Sequence, residues 1–216
     1  MYKKLGIQLY TIRDFMKTEE DMRRSFARLK DIGYDQVQTA GCFVPFKEFG
    51  EIAREYDLEI VGTHDDFERM QTDLAGSVED HKKLGTRIMG TGGCPKPQTV
   101  EEVENIIGIC NTIARGVKPH GFKFSYHNHS FEFLKIDGKT VFQRFLESFD
   151  ENISFVLDTY WAQYGGMDVR FQLNGNWLDT PAGIAHYLEH KMFDTEDGNA
   201  LQDLAANEIG RASCRE

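Results

Sequence analysis

Paired cysteines are what this 216-residue chain most plainly lacks. Its four cysteines, Cys42, Cys94, Cys110 and Cys214, are scattered, with no C-x-x-C pair. The spacing excludes a zinc ribbon and a disulfide framework and fits a reducing cytoplasm. Long apolar runs are missing too. No segment approaches the roughly 18 uninterrupted apolar residues of a membrane span, and the opening MYKKLGIQLY lacks the apolar stretch of a signal peptide. Positive charge is in short supply. Lys and Arg number 25 against 35 Asp and Glu, for a formal net charge of −10. That balance argues against a general affinity for nucleic-acid phosphates or anionic lipid, and no dense Lys/Arg cluster offsets it. What remains is an ordinary soluble composition, 40% hydrophobic and 28% charged. The length suffices for one sizeable domain, or a domain and a fragment.

Hydrophobic periodicity divides the chain into alternating segments. Leu5–Ile12 is a β-prone run that ends at the polar Thr11 and Arg13. Through Glu19–Ile32, Met22, Phe26, Leu29 and Ile32 recur at helical spacing, and Gly33 is placed to stop the helix. Strands predicted over Tyr34–Ala40, Leu58–Gly62, Arg87–Gly93 and Ile153–Leu157 alternate with helices over Phe46–Tyr56, part of Phe67–Leu84 and Val141–Phe149. The second of these helices, Phe67–Leu84, is interrupted at Gly76. Thr99 with Glu102 predicts a capping box, opening a helix whose apolar face is Val103, Ile106, Ile107, Cys110 and Ile113. Gly92-Gly93 reads as a turn, since no P-loop pattern follows it.

Strand and helix alternating at this spacing fit either a doubly wound sheet or a (β/α)8 barrel. The polar residues favour the barrel. They recur just past successive strands, as Thr11 and Arg13, Gln38, His64, His127 with Glu132, and Asp158. Convergence from many strand ends is the habit of a barrel rim. A doubly wound sheet would carry a glycine-rich first turn, which is absent. The expectation is a truncated (β/α)8 TIM barrel of about six βα units over residues 1–169.

The stretch Phe122–Phe133, FKFSYHNHSFEF, is the functional centre of that reading. At period two, Lys123, Ser125, His127 and His129 share one face. His127, Asn128, His129 and Glu132 are of the types that hold a metal or move protons. Taken alone, a strand histidine is more often a hydrogen-bonded structural residue, and Asp158 could cap a following helix.

GIQLYTIRD, VGTHDDF, YHNHSFEF and VLDTYWAQYGGMD occur in that order between about Lys4 and Val169. Together they resemble the sugar phosphate isomerase/epimerase family, the xylose-isomerase-like TIM barrels. The resemblance implies proton abstraction next to a carbonyl of a small sugar or polyol, with a divalent metal (Mn, Mg, Co or Zn) as Lewis acid. It implies Asp158 as a metal ligand, with Glu132 and His127 as alternatives for the fifth-strand ligand and base. It also places His64, His129, Tyr10 and Trp161 around the substrate, Trp161 being otherwise a packing residue. Many relatives carry a Glu where this chain reads His127-Asn128-His129. The family's later ligands, a His on strand seven and a Glu on strand eight, have no counterpart here. The implied metal site is therefore incomplete, and the expectation is a chain without activity of its own.

From about Arg170 to residue 207 the text changes character. His186, Glu189 and His190 form an H-x-x-E-H motif, which on a helix sets two imidazoles one turn apart for zinc with a carboxylate to polarise water. TPAGIAHYLEHKMF resembles the insulinase/pitrilysin-type zinc metallopeptidases, whose third ligand lies far downstream. Residues 208–216, EIGRASCRE, resemble neither family and read like a translated sequencing adaptor. The expectation is a chimeric chain with a foreign helical tail. The alternatives are a zinc peptidase fragment or a non-catalytic truncated barrel.

Overall fold

The computed structural model describes residues 4–167 and, beyond them, four short strand segments. Within residues 4–167 the elements alternate as the periodicities predict. They are β1 (Gly6–Gln8), α1 (Glu19–Ile32), β2 (Gln36–Gln38), α2 (Phe46–Glu55), β3 (Glu59–Gly62), α3 (Phe67–Thr72) and α4 (Leu74–Leu84). Next come β4 (Ile88–Thr91), α5 (Val100–Val117), β5 (Lys123–His127), a β6–β7 ribbon (Lys135–Ile136, Lys139–Thr140), α6 (Val141–Ser148), β8 (Ile153–Val156) and α7 (Thr159–Tyr164).

The helix ends have local causes. Thr18 caps α1 by accepting the Asp21 N–H, and Gly33 closes it at φ +107°, a conformation that favours glycine. Thr99 caps α5 through the Glu102 N–H at 3.2 Å, but the Glu102 carboxylate accepts from Gln98 N rather than reaching back to Thr99. The reciprocal capping box is found at Thr140 and Gln143, which open α6. The break expected at Gly76 falls at Asp73 instead. Asp73 ends α3 and its carboxylate accepts the Gly76 N–H at 3.0 Å, so Gly76 lies in the first turn of α4. The β6–β7 ribbon was not foreseen, although Asp137-Gly138, both at positive φ, is a hairpin-turn pair.

Two three-stranded parallel sheets, ordered β1-β2-β3 and β4-β5-β8, are joined by a parallel bridge between Asp65 and Thr91. Strand order thus follows chain order around a curved wall of six parallel strands, the architecture of a TIM barrel short of closure among the described residues. Helices cover the outside in two cores. One gathers Met22, Phe26, Leu29, Phe49 and Ile52 with Val37 and Ile60. The other gathers Val103, Ile106, Cys110, Ile113 and Val117 of α5 with Phe124, Tyr126 and Phe145. Each fully buried Phe, Leu or Ile contributes on the order of 1.5–3 kcal/mol by leaving water.

The seam between the halves is polar. Gly90 N donates to Thr63 Oγ1 at 2.9 Å, and Asp65 N donates to the Gly90 carbonyl at 2.8 Å. Buried His81 donates from Nδ1 to the Ser77 carbonyl at 2.7 Å, which leaves Nε2 to accept the Thr63 hydroxyl at 3.0 Å. A Cβ added at Gly90 would collide with the Thr63 carbonyl and the Ser125 hydroxyl. Only glycine lets β3, β4 and β5 approach this closely.

Beyond residue 167, β9 (Phe171–Leu173) pairs antiparallel with β10 (Asn176–Leu178), and β11 (Asp194–Thr195) with β12 (Gly198–Asn199). These parts of the tail, expected to be helical, are ribbons. His186, Glu189 and His190 lie outside the described residues, as do residues 208–216.

Candidate functional site

The carboxyl-terminal ends of β3, β5 and β8 bring His64, His127, His129 and Asp158 together. His127 is the last residue of β5, and its ring centre lies 4.6 Å from that of His64 and 4.9 Å from that of His129. Its Nε2 stands 3.8 Å from the Asp158 carboxylate, too far for a direct hydrogen bond. The His129 ring stacks on Phe131 at 6.1 Å and lies 5.7 Å from Trp161. A side chain at Gly93, where φ is +145°, would stand 3.0 Å from the His129 ring, so the glycine turn after β4 is what admits that imidazole.

Two residues outside the expected ligand set hold this geometry. Gln8 ends β1, and its carboxamide oxygen accepts the Tyr10 N–H, which leaves its Nε2 to donate to His64 Nδ1 at 3.1 Å. His64 therefore carries its proton on Nε2, a buried donor without a partner. Asn128, fully buried, brackets one residue of the neighbouring strand end. Its Nδ2 donates to the Asp158 carbonyl at 3.1 Å, and its Oδ1 accepts the Asp158 N–H at 2.8 Å. The amide behaves as one more rung of the β5–β8 ladder, carrying the pairing past the last backbone pair at His127 and Val156.

Glu132 does not take the place expected of it. The turn Phe131–Phe133 carries it inward to 0% exposure. One carboxylate oxygen accepts the Tyr126 hydroxyl at 2.8 Å and the other the His129 N–H at 2.9 Å. As placed it braces the loop that presents His129, closed off from solvent and substrate. Asp158 takes the capping role weighed for it. One oxygen caps α7 by accepting Trp161 N–H at 2.8 Å, and the other faces His127. Tyr10 is 52% exposed, with the Arg13 guanidinium 4.0 Å above its ring.

Burial sets the protonation of the cluster. It pushes His64 down to about 4 and His127 down to about 3, reinforced in each by neighbouring imidazoles, and it lowers His129. All three rings are neutral at pH 7, and His127 Nδ1 and His129 Nδ1 are buried without partners. Burial raises the carboxyls of Asp158 and Glu132, against the hydrogen bonds that hold their charged forms.

A divalent metal is the cofactor implied by the resemblance, and the donor set does not fit it. Of the implied ligands Glu132 is enclosed by the Tyr126 hydroxyl and the His129 N–H, which leaves only His127 and Asp158 beside each other. Among the described residues no three His, Cys, Asp or Glu are arranged to hold a metal ion.

These features lie on a fold shared with known barrels. A sugar phosphate isomerase/epimerase from Parabacteroides distasonis superposes with a TM-score of 0.68 at 22% identity, covering 77% of this chain and 68% of that one. A xylose isomerase domain containing protein from Salmonella typhimurium gives 0.56 at 13% identity, covering 74% and 62%. A family 2 AP endonuclease from Brucella melitensis gives 0.58 at 14% identity, covering 78% and 73%. The fold is that of the xylose-isomerase-like TIM barrels. A protein of Bacillus subtilis (strain 168) named as an uncharacterized zinc protease is 42% identical over 48 residues, 21% of this chain. The chain spans 11% of that relative's length. No family's sequence profile matches the chain.

Proposed function

We propose that residues 1–169 are a partial sugar isomerase/epimerase-type barrel that binds a small sugar or polyol at the rim formed by β3, β5 and β8. The observation that carries this reading is the convergence of His64, His127, His129 and Asp158 from three strand ends. His64 Nε2–H and the Nδ1 atoms of His127 and His129 are buried polar groups without partners, hydrogen-bonding capacity that a ligand entering the cluster would meet. Asp158 presents one carboxylate oxygen beside His127. Such groups bind and orient hydroxyls and a carbonyl.

Turnover is not expected, because neither an enclosed Glu132 nor the donor set among the described residues supplies the proton transfer and charge stabilisation that enolisation needs. The test is ligand-observed NMR with ketohexoses in D2O, with and without added Mn, Mg, Co or Zn. Saturation transfer to the sugar without solvent exchange of the hydrogen next to the carbonyl is the expected result. Exchange that disappears in His127→Ala would overturn the inactivity, and absence of any contact would overturn the reading.

The H-x-x-E-H spacing of His186, Glu189 and His190 supports a second reading for the tail alone, that residues 170–207 are a peptidase-like fragment followed by adaptor-like text at 208–216. Chelator-sensitive cleavage of a casein peptide by the purified chain would establish peptidase activity. None is expected.

A further inference from the structure

A groove of about 950 Å³ lies over the turn that follows β4. Strand order sets the β3 loop and α3 on one side of that turn and the segments after β5 and β8 on the other. The first side contributes Asp65, Asp66 and Glu68. Asp65 has one carboxylate oxygen buried and the other accepting the Asp66 N–H, so the carboxylates open to the groove are those of Asp66 and Glu68. The second contributes His129, Phe131 and Trp161. Asp66 and Glu68 are exposed, and the stacked His129 and Phe131 rings stand beside Trp161. Carboxylate oxygens accept from sugar hydroxyls, and aromatic faces cover the C–H face of a sugar ring.

The same wall opposes a phosphate. A dianion in this groove meets the exposed carboxylates of Asp66 and Glu68, whose field is only partly screened at low salt. No Lys or Arg is among the described residues lining the groove. The N-terminus of α3, which would otherwise attract an anion, already has its Glu68 and Arg69 N–H groups on Asp66 Oδ1, at 2.8 and 3.0 Å. We infer that this groove, which meets the rim at His129, takes an uncharged polyhydroxylated ligand, hydroxyls toward Asp66 and Glu68 and carbon face toward Phe131 and Trp161, and discriminates against the phosphate ester of the same sugar. The inference rests on the rim being a sugar or polyol site.

Saturation-transfer NMR on the full chain, with the D-ketohexoses and D-fructose 6-phosphate as probes, tests it. At low salt the phosphate ester is expected to bind about tenfold more weakly than the neutral sugars. The gap narrows in high salt and in the Asp66→Asn/Glu68→Gln variant, where the carboxamide introduced at the first position can still cap α3. An ester that binds as tightly as the neutral sugars, or a gap indifferent to both salt and the double variant, overturns the inference while leaving the sugar site standing. If no ketohexose binds and the ester does not either, the sugar-site reading falls with it.

Discussion

Three imidazoles held neutral side by side tie the stability of this protein to pH. Unfolded histidines titrate near 6.5, whereas burial holds folded His64 at about 4 and His127 at about 3. Between those values the unfolded chain binds more protons, so the stabilisation is complete above about pH 6.5 and is lost as pH falls toward the folded values. Each such histidine contributes a slope of about 1.4 kcal/mol per pH unit over that range. Thermal melts from pH 7.5 to 5 are expected to show a falling midpoint, with a shallower slope in His127→Gln; an unchanged slope would count against the buried neutral pair. Asn128→Asp removes the donor to the Asp158 carbonyl and puts a charge where nothing is exposed. It should cost about 3 kcal/mol in urea unfolding and displace the His127 ring resonances. At this scale the sequence was only half legible. The types of His127, Asn128, His129 and Asp158 marked the site, but a strand pattern cannot show that the turn after β5 folds Glu132 inward. Nor can it show that a glutamine on β1 reaches a histidine 56 residues away.

Elements were easier to read where a local residue sets the boundary. Gly33 and Thr99 act within one helical turn, so the end of α1 and the start of α5 were visible in the text. Strands came out shorter than their apolar runs, because pairing partners and not hydrophobicity decide where a ladder stops: β1 keeps only Gly6–Gln8 of the run Leu5–Ile12. Short α7 was foreseen only as the helix that Asp158 could cap, its six residues being too few to show a period. The β3–β4–β5 seam had no sequence signal either, since Gly90 looks like any strand glycine. Gly90→Ala forces a methyl against the Thr63 carbonyl and the Ser125 hydroxyl. It is expected to destabilise by about 2–4 kcal/mol in denaturant titration, more than Gly108→Ala, whose added methyl meets nothing within 4 Å.

For the whole molecule, the barrel was legible because regular βα spacing and polar strand ends are both properties of the linear text. The closeness of its two halves was not. Among the described residues β1 and β8 each pair with one strand only. Amide exchange is therefore expected to be faster in Gly6–Gln8 and Ile153–Val156 than in β2 and β5, which are paired on both sides. Equal protection across all four strands would mean that the outer edges are covered.

The two cores also follow one another along the chain. The buried members of the first run from Leu9 to Ile60 and finish with Leu84, and those of the second run from Met70 to Phe145. During synthesis, a chain that has cleared the ribosome as far as Leu84 already holds every buried residue of the first core. The imidazole cluster has to wait, since His127, His129 and Asp158 are made only after α5. The order of translation thus delivers a scaffold first and its site later.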